Sequence, residues 1–332
     1  MSELWFVLPG GVDDPDRPSG GNRYDRAVCD RLAGVREIAV PGSWPRPSAR
    51  EAEALARALD DIPDMSDVVI DGLVGCGVPG VIEAAAARLR VVILVHLPLG
   101  DESDAAADLV PLERRALHAA AAVVVTSEQA AARVADLHEL PPDKVSVAPP
   151  GVDAAPRAEP SPGGGRLLCV AAISHRKGQD VLLRALDDLG DLDWTCTFAG
   201  AGSAPPAAGR VVFAGPLGGA ALDAAYAGAD LLVLPSRAET YGMVVTEALA
   251  RAVPVLGTRV SGVPEALGAA PDGTVPGRLV PPGDPGVLAA ALRDWLTDAG
   301  LRERWRAAAR ARRETLRGWD ETTRLLSEVL RG

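Results

Sequence analysis

Two glutamates, Glu239 and Glu247, stand eight positions apart and follow a short apolar run at 231–234. That run ends in Pro235-Ser236 and has the pattern of a buried parallel strand. A polar loop leads from it into a helical stretch, so the first glutamate lies in the loop and the second about one turn into the helix. Both carboxylates are therefore expected at the carboxyl edge of a sheet, where open α/β folds bind ligands.

Carboxylates at such a position suit one class of ligand. The start of a helix supplies free N–H groups that can bind a phosphate, and carboxylates beside those amides accept hydrogen bonds from hydroxyl groups. A nucleotide sugar presents this combination, because its anionic diphosphate lies next to sugar and ribose hydroxyls. The alternative is a βαβ unit in which the two glutamates are only solvated charges at a helix entry.

Apolar runs alternate with Ala- and Leu-rich helical stretches along the whole chain, which predicts parallel sheets with helices on both faces. The predicted strands are 4–8, 35–40, 68–73, 91–97, 123–126, 145–148, 167–173, 194–199, 211–214, 231–234, 253–257 and 278–280. The stretch 156–166 is rich in Pro and Gly and lacks periodicity, so it is predicted as a linker. We therefore expect an α/β protein with doubly wound domains at 1–155 and 167–318.

Composition limits the classes of function. The chain has 332 residues, of which 48% are hydrophobic and 24% charged, as expected for a globular protein with two cores. Its net charge of −11 argues against nucleic-acid binding, which requires a basic face. The cysteines lack any C-x-x-C spacing, so we expect reduced thiols and a cytoplasmic protein. They are Cys29, Cys76, Cys169 and Cys196.

The Arg-rich segment 302–317 is the feature that could bind a membrane surface. The acidic total favours a solvated helix face instead, so membrane association is not expected. No apolar stretch approaches the roughly 18 residues of a transmembrane helix, and the first residues lack the basic region of a signal peptide. The segment 319–332 has the apolar spacing of one last amphipathic helix.

The segment 229–265 closely resembles the E-x7-E signature of retaining glycosyltransferases of family 4, in the group 1 glycosyl transferases. Matching elements are Pro235-Ser236, Glu239, Tyr241-Gly242, Glu247-Ala248 and Pro254-Val255. The resemblance implies the GT-B fold, in which two Rossmann-like domains face a central cleft. It assigns the acceptor to the N-terminal domain and the nucleotide sugar to the C-terminal domain. It also implies that helix 319–332 packs back on the N-terminal domain.

Donor contacts follow from the same resemblance. It assigns Glu239 to the donor sugar and Glu247 to the ribose. Further donor-binding residues that it implies are Gly20, Gly21, Gly200, Gly202, Thr240, Tyr241, Gly242, Met243 and Val244.

A cationic pair grips the diphosphate in that family, and Lys177-Gly178 matches the lysine position. The family arginine five residues earlier is Ala172 here, which departs from the pattern. Arg176 could supply the missing guanidinium, whose planar fork suits phosphate oxygens.

The N-terminal half offers two further candidates. The glycine pair Gly20-Gly21 allows close backbone approach to a ligand, and its position resembles the family loop beside the diphosphate and the acceptor. Acceptor contacts are therefore expected from Asn22, Tyr24 and Asp25. His96 follows an apolar run, at the end of a parallel strand that faces the ligand crevice. It resembles the family histidine that contacts the donor hexose, so it is placed with Arg176, Lys177 and Glu239 as catalytic.

No metal or cofactor is expected. The four histidines have no metal-ligand spacing, and Asp191-Leu192-Asp193 lies at the wrong edge of its sheet to act as the metal motif of a GT-A enzyme. The sequence thus predicts a metal-independent, retaining hexosyltransferase. A UDP-sugar is the first choice of donor, GDP-mannose the second, and a small soluble molecule the expected acceptor.

Two alternatives remain at this stage. A nucleotide-sugar-binding protein with weak catalysis is favoured by Ala172. A GT-B epimerase or phosphorylase would need other motifs, such as a pyridoxal-binding lysine, and the chain contains only Lys144 and Lys177.

Overall fold

The structure is a computed structural model that describes residues 3–14, 19–101, 108–203 and 209–332. The chain divides into two compact units. Unit 1 contains the described residues up to Gly151 together with Trp319–Gly332, and unit 2 contains those of Val152–Gly318. The predicted linker 156–166 therefore lies within unit 2, where Asp230 accepts hydrogen bonds from the backbone N–H and the hydroxyl of Ser161.

Unit 1 is built on a sheet of six parallel strands in the order β2-β1-β3-β4-β5-β6. The strands are β1 (Leu4–Pro9), β2 (Arg36–Val40), β3 (Asp67–Asp71), β4 (Arg90–Val95), β5 (Ala122–Val125) and β6 (Val145–Val147). Its helices are α1 (Gly20–Cys29), α2 (Ala49–Asp60), α3 (Gly72–Gly75), α4 (Pro79–Ala86), α5 (Leu109–Ala119) and α6 (Glu128–His138). The central strands β3 and β4 are apolar and buried on both faces, as parallel strands covered by helices require.

Unit 2 repeats this architecture with the strand order β12-β11-β10-β7-β8-β9. The strands are β7 (Arg166–Val170), β8 (Thr195–Ala199), β9 (Val211–Gly215), β10 (Leu231–Leu234), β11 (Val255–Thr258) and β12 (Gly277–Val280). The helices are α7 (Gln179–Asp187), α8 (Gly219–Ala227), α9 (Met243–Ala250), α10 (Val263–Leu267), α11 (Pro285–Thr297) and α12 (Ala299–Arg313). Alternate residues of β10 enter two different cores, because successive side chains of a strand point to opposite faces.

The last helix, α13 (Trp319–Arg331), belongs to unit 1. Trp319 packs edge-to-face on Tyr24 of α1 with ring centroids 5.7 Å apart. The Arg90 guanidinium donates hydrogen bonds to the carbonyls of Val329 (2.7 Å) and Leu330 (3.2 Å). The helix is thus fixed to unit 1 at both of its ends.

The α/β prediction is confirmed, and the corrections to strand ends bear on the site. The predicted strand 91–97 ends at Val95, so His96 is the first residue beyond β4. The predicted strand 68–73 ends at Asp71, where Gly72 begins α3. The predicted strand 167–173 ends at Val170 and leaves a loop before the three-residue 3-10 turn His175–Lys177.

Several arginines of the segment 302–317 donate hydrogen bonds to backbone carbonyls of unit 2. Arg302 donates to the Trp295 carbonyl at 2.8 Å, Arg306 to the Ser161 carbonyl at 2.9 Å, and Arg313 to the Ala250 carbonyl at 2.7 Å. These guanidiniums satisfy carbonyl groups instead of forming a free basic surface. Among the described residues, no helix is long and apolar enough to cross a membrane.

Candidate functional site

The carboxyl ends of β7 and β10 bring a lysine and a glutamate together, because these parallel strands are neighbours in the sheet of unit 2. The 3-10 turn after β7 carries Lys177, and the loop after β10 carries Glu239. Lys177 Nζ lies 2.6 Å from Glu239 Oε1, and the Ser236 hydroxyl donates to the same oxygen at 2.8 Å. The side chains of Lys177 and Glu239 are 17% and 8% exposed. We call these three residues the lysine cluster.

The two loops of the lysine cluster are held against each other. The Arg237 guanidinium donates to the His175 carbonyl at 2.7 Å and forms two hydrogen bonds of 2.7 Å with the Asp180 carboxylate. Hydrogen bonding to Arg237 lowers the pKa of Asp180. Gly178 adopts a left-handed φ of +68°, and a Cβ there would lie 2.1 Å from the Pro235 carbonyl oxygen. This close approach requires glycine and fixes the position of Lys177.

Glu247 lies on the second turn of α9 and is 6% exposed. Its Oε2 accepts a hydrogen bond of 2.7 Å from the Tyr226 hydroxyl. The Arg251 guanidinium stacks over the Tyr226 ring at 4.8 Å and donates to the Glu247 carbonyl at 3.0 Å. Tyr226 therefore orients the carboxylate that the sequence assigns to ribose. Sequence reasoning missed Tyr226, because it lies in α8, 21 positions before Glu247, and no local pattern connects the two.

The other predicted donor residues of unit 2 have mixed roles in the fold. A Cβ on Gly200 would lie 1.9 Å from the Ala171 carbonyl oxygen, so backbone packing requires glycine at this position. A Cβ on Gly202, where φ is +129°, would lie 2.9 Å from the Ile173 carbonyl oxygen. Tyr241 is 9% exposed and packs in the core of unit 2.

The turn into α9 confirms the predicted helix start after Tyr241-Gly242. Gly242 is the N-cap residue in a left-handed conformation with φ +88°, and Met243 and Val244 form the first turn of the helix. The Thr240 carbonyl accepts a hydrogen bond of 3.1 Å from the Gly262 N–H, which ties this turn to the start of α10.

Arg176 lies beside Lys177 on the 3-10 turn, and its guanidinium reaches the Ala238 carbonyl at 3.5 Å. It therefore points toward the loop that carries Glu239. Ala172, at the position of the family arginine, is exposed.

A second cluster lies in unit 1, at the carboxyl ends of the neighbouring strands β3 and β4. His96 Nε2 lies 2.7 Å from Asp25 Oδ1 of α1 and 3.7 Å from Asp71 Oδ2 at the end of β3. Asp25 is fully buried and Asp71 is 3% exposed, whereas the His96 side chain is 18% exposed. We call these three residues the histidine cluster.

Burial dominates the electrostatics of the histidine cluster. It raises the pKa of Asp25 to about 7, against the opposing effects of the hydrogen bond to Asp71 and the charge of Arg26. Burial and the Asp25 charge raise the pKa of Asp71 well above its usual range. Burial lowers the pKa of His96, although the Asp71 charge acts in the opposite direction. When two buried carboxyl groups lie near each other, the pKa of at least one of them is raised.

Two of the predicted acceptor contacts are corrected by the structure. Tyr24 has no exposed surface, and its hydroxyl donates to the Ala148 carbonyl at 3.0 Å. Asp25 is equally buried and contacts His96 instead of solvent. Both residues therefore lie behind the surface that an acceptor could reach. Asn22 is partly buried, and its side chain contacts the Gly11 carbonyl at 3.3 Å.

The glycine pair has a structural reason of its own. Gly20 is the first residue of α1 and is exposed. A Cβ on Gly21 would lie 3.0 Å from Cδ2 of the His96 ring. The second glycine therefore makes room for His96, which the sequence analysis did not anticipate.

Asp71 was also missed. It stands inside the predicted strand 68–73, and the signal that could have found it is a carboxylate directly before a glycine in an apolar run. Placing the strand end there puts Asp71 beside the end of β4, next to His96.

The donor set of the histidine cluster, two carboxylates and an imidazole, could suit a divalent cation, and the three ligand atoms lie within 4.8 Å of one another. In a tetrahedral site with bonds of about 2.1 Å, ligand atoms lie about 3.4 Å apart. The 2.7 Å between His96 Nε2 and Asp25 Oδ1 is a hydrogen-bond distance instead. The geometry is that of a hydrogen-bonded cluster.

Comparisons with known proteins agree on one family. The model described as Glycosyltransferase Family 4 matches residues 15–155, and the model described as Glycosyl transferases group 1 matches residues 164–298. The chain is 32% identical over 257 residues to the D-inositol 3-phosphate glycosyltransferase of Kineococcus radiotolerans. That match covers 66% of this chain and 59% of the relative, so the chain spans less than two thirds of the relative's length.

Two solved structures share the fold over the whole chain. Sucrose-phosphate synthase from Thermosynechococcus elongatus has a TM-score of 0.80 and 17% identity, and the match covers 100% of this chain and 98% of that one. HepE from Anabaena, solved in complex with UDP and glucose, has a TM-score of 0.79 and 16% identity, with 100% of both chains covered. At this identity the likeness concerns the fold.

Proposed function

Because this chain belongs to the group 1 glycosyltransferases and has their two-domain GT-B fold, we propose that it transfers a hexose from a nucleotide sugar to an acceptor hydroxyl. The observation that carries the proposal is the lysine cluster. A cation and a carboxylate meet there at the carboxyl edge of a parallel sheet, beside the start of α9. This is the combination that a diphosphate joined to a sugar requires.

Lys177 is proposed to stabilise the charge that develops on the departing diphosphate, with Arg176 and the first amides of α9 beside it. Preorganised positive groups of this kind commonly supply several kcal/mol of transition-state stabilisation. Glu239 would receive a hydrogen bond from the donor sugar, since a carboxylate can accept further bonds besides those from Lys177 and Ser236. Glu247, oriented by Tyr226, would accept from the ribose.

The donor is proposed to be a UDP-sugar, with GDP-mannose as the second choice. The neighbour HepE was solved with UDP and glucose, which supports uridine for a fold of this kind. Transfer with retention of configuration follows from the resemblance to family 4. In unit 1, His96 is proposed to hydrogen-bond the hexose, again from the resemblance.

A metal-independent reaction is proposed because Lys177 and the amides of α9 offer positive potential to the diphosphate. Turnover is therefore expected to persist in EDTA. Complete loss of turnover in the chelator, restored by Mg²⁺ or Mn²⁺, would contradict this part of the proposal.

The acceptor is proposed to be a small soluble molecule with free hydroxyls. The relative from Kineococcus radiotolerans carries D-inositol 3-phosphate in its name, so cyclitols and their phosphates come first in a panel of acceptors.

Mass spectrometry of products tests the function most broadly. The protein is incubated with UDP-glucose, UDP-galactose, UDP-N-acetylglucosamine or GDP-mannose and with each acceptor in turn, and Lys177→Ala serves as the control. One donor–acceptor pair is expected to give an acceptor that has gained one glycosyl residue, together with the free nucleoside diphosphate. Absence of any product and of any donor hydrolysis would contradict an enzymatic function for the donors tested.

Ala172 favours one second candidate, a nucleotide-sugar-binding protein with little catalysis, because the family arginine is missing there. Tight binding of UDP-glucose without transfer or hydrolysis would identify this candidate. Measurable turnover would exclude it.

A further inference from the structure

We infer that Asp25 is a positioning residue for His96: with Asp71 it holds a single shared proton, and it fixes the imidazole in the tautomer with its proton on Nε2. Nothing in the E-x7-E pattern points to Asp25 in this role. The inference rests on the proposed function only where turnover is measured, because its main readout is the protonation of His96 in the protein without substrates.

The distances make Asp25 the first partner of His96. Asp25 Oδ1 lies 2.7 Å from Nε2, whereas Asp71 Oδ2 lies 3.7 Å away. With the shared proton held between Asp25 Oδ2 and Asp71, Asp25 Oδ1 can only accept this hydrogen bond, so Nε2 carries the proton and Nδ1 has the lone pair. Asp25 has no exposed surface and acts on a ligand only through His96.

A proton between the two carboxyl groups explains an otherwise unsatisfied atom. Asp25 Oδ2 is buried and has no donor in the structure. A carboxylate oxygen of Asp71 lies within 4.8 Å of a carboxylate oxygen of Asp25, and Asp71 Oδ1 accepts a hydrogen bond of 2.6 Å from the Leu73 N–H. If one of the two carboxyl groups is protonated, its O–H donates to the other, and the buried oxygen is satisfied.

Among the described residues, the hydroxyl and guanidinium groups that flank Asp25 on α1 have partners elsewhere. On α1, the Tyr24 hydroxyl is bound to the Ala148 carbonyl. The Arg26 guanidinium is bound to Asp13 and Glu37. From α13, Trp319 packs on Tyr24 and carries no charge. Among the described residues, no lysine or arginine hydrogen-bonds Asp25 or Asp71, so the shared proton is what balances two buried carboxyl groups.

The fixed tautomer has a consequence for the ligand of His96. With Nε2–H bound to Asp25, the nitrogen left for a ligand is Nδ1, which accepts a hydrogen bond. A neutral His96 of this kind would meet a hydroxyl that donates, such as a hydroxyl of the donor sugar. Without Asp25 the ring would populate both tautomers and lose this preference.

Nitrogen NMR of histidine-labelled protein tests the inference directly. The chain has four histidines, and His96→Gln assigns the signals of His96 by their loss. In the wild type at pH 7.5, a protonated Nε2 and an unprotonated Nδ1 are expected. A protonated Nδ1 with a bare or metal-bound Nε2 would overturn the inference, and the wild-type spectrum decides the matter even if no Asp25 variant folds.

Two matched variants separate positioning from structure. In Asp25→Asn the amide can donate to Asp71 and still accept from His96, so the tautomer is expected to persist. In Asp25→Leu the acceptor is lost, and a mixture of tautomers is expected. An unchanged tautomer in a folded Asp25→Leu protein would mean that Asp25 serves packing alone.

Turnover supplies a second readout. Asp25→Leu is expected to lower kcat by about tenfold or more while the affinity for UDP stays unchanged, and Asp25→Asn is expected to stay within a few-fold of wild type. The expected spectra in a protein without any transferase activity would leave this inference standing and reject the proposed function. Transferase activity together with a protonated Nδ1 in the wild type would support the proposed function and reject this inference.

Discussion

The lysine cluster of unit 2 and the histidine cluster of unit 1 both contain buried carboxyl groups. The charge of these groups is balanced in a different way in each cluster. In the first, the Glu239 carboxylate is balanced by the Lys177 ammonium at 2.6 Å and by the Ser236 hydroxyl. In the second, Asp25 and Asp71 lie together with His96, whose pKa is lowered by burial. A fixed cation balances the first cluster, whereas a proton balances the second.

This difference indicates what each cluster can do. The ammonium group of Lys177 can form an ion pair with an anion such as a diphosphate. A cluster that contains a shared proton is sensitive to pH and is suited to orient a neutral hydrogen-bonding group. The lysine cluster therefore suits an anionic group, and the histidine cluster suits an uncharged one.

The largest effect is expected from removing the cation of the lysine cluster. Lys177→Ala should lower kcat by about 10- to 1000-fold, the scale seen when a preorganised transition-state donor is lost. Lys144→Ala is the matched control, because it removes the other lysine of the chain and should leave kcat near wild type. Steady-state turnover of the best donor–acceptor pair provides the measurement.

Arg176 belongs to the same prediction, since its guanidinium reaches the loop that carries Glu239. Arg176→Ala should lower kcat by a factor in the same range as Lys177→Ala. Near-wild-type kcat in Arg176→Ala, together with a strongly lowered kcat in Lys177→Ala, would show that Lys177 and not Arg176 supplies the cation for the diphosphate.

Glu239→Gln should have the next largest effect and should distinguish sugar from nucleotide. It removes the charged acceptor for a sugar hydroxyl, so turnover is expected to fall by about 10- to 100-fold. The affinity for UDP alone should change little. Equal losses of affinity for UDP and for UDP-glucose in calorimetry would show that Glu239 does not contact the hexose.

The histidine cluster predicts a pH dependence of stability. Folding raises the pKa of Asp25 from 3.8 to about 7, so the native state binds more protons than the unfolded state between these values. The free energy of unfolding should therefore fall by roughly 1 kcal/mol per pH unit from this group as the pH rises from about 4 to about 7, and then level off.

Asp25→Asn isolates this contribution, because an amide does not titrate. Urea unfolding of both proteins at pH 5, 6, 7 and 8 gives the free energy of unfolding as a function of pH. The difference between the slopes for wild type and variant is the contribution of Asp25. If the free energy of unfolding changed with pH in the same way in wild type and variant, Asp25 would be ionised in the native state over this whole pH range.

A smaller effect is expected from Tyr226, which holds the Glu247 carboxylate at 2.7 Å. Tyr226→Phe should weaken UDP binding by about 0.5–1.5 kcal/mol, because the carboxylate loses one of the bonds that orient it. The ring and its stacking on Arg251 remain. Isothermal calorimetry detects the change, and an unchanged affinity would separate Tyr226 from nucleotide binding.

Sequence alone predicted the lysine cluster well and the histidine cluster poorly, for a physical reason. Glu239, Ser236 and Glu247 lie on one continuous strand–loop–helix segment, so their spacing already limits where they stand. Lys177 follows the neighbouring strand β7, and the carboxyl ends of adjacent parallel strands meet. The local sequence pattern and the sheet topology therefore both place these residues at the same edge of the sheet.

The histidine cluster joins three separate elements. His96 could be placed at the end of β4, but Asp25 reaches it from α1 and Asp71 from the end of β3. Whether a helix residue faces solvent or the cluster depends on packing that no local pattern shows. Tyr24 and Asp25 were therefore predicted as acceptor contacts and prove to be buried. The fold was easier to predict, because long apolar runs mark the strands directly.

We propose that unit 2 binds a nucleotide sugar through Glu247 and the lysine cluster. Calorimetric titration of UDP into wild type and Glu247→Ala, both in EDTA, tests it most directly. We predict that UDP binds the wild type and that Glu247→Ala weakens binding by about 1–3 kcal/mol, the loss of a charge-assisted hydrogen bond to the ribose. Equal affinity of the two proteins for UDP, or no binding of UDP or GDP to the wild type, would contradict the claim.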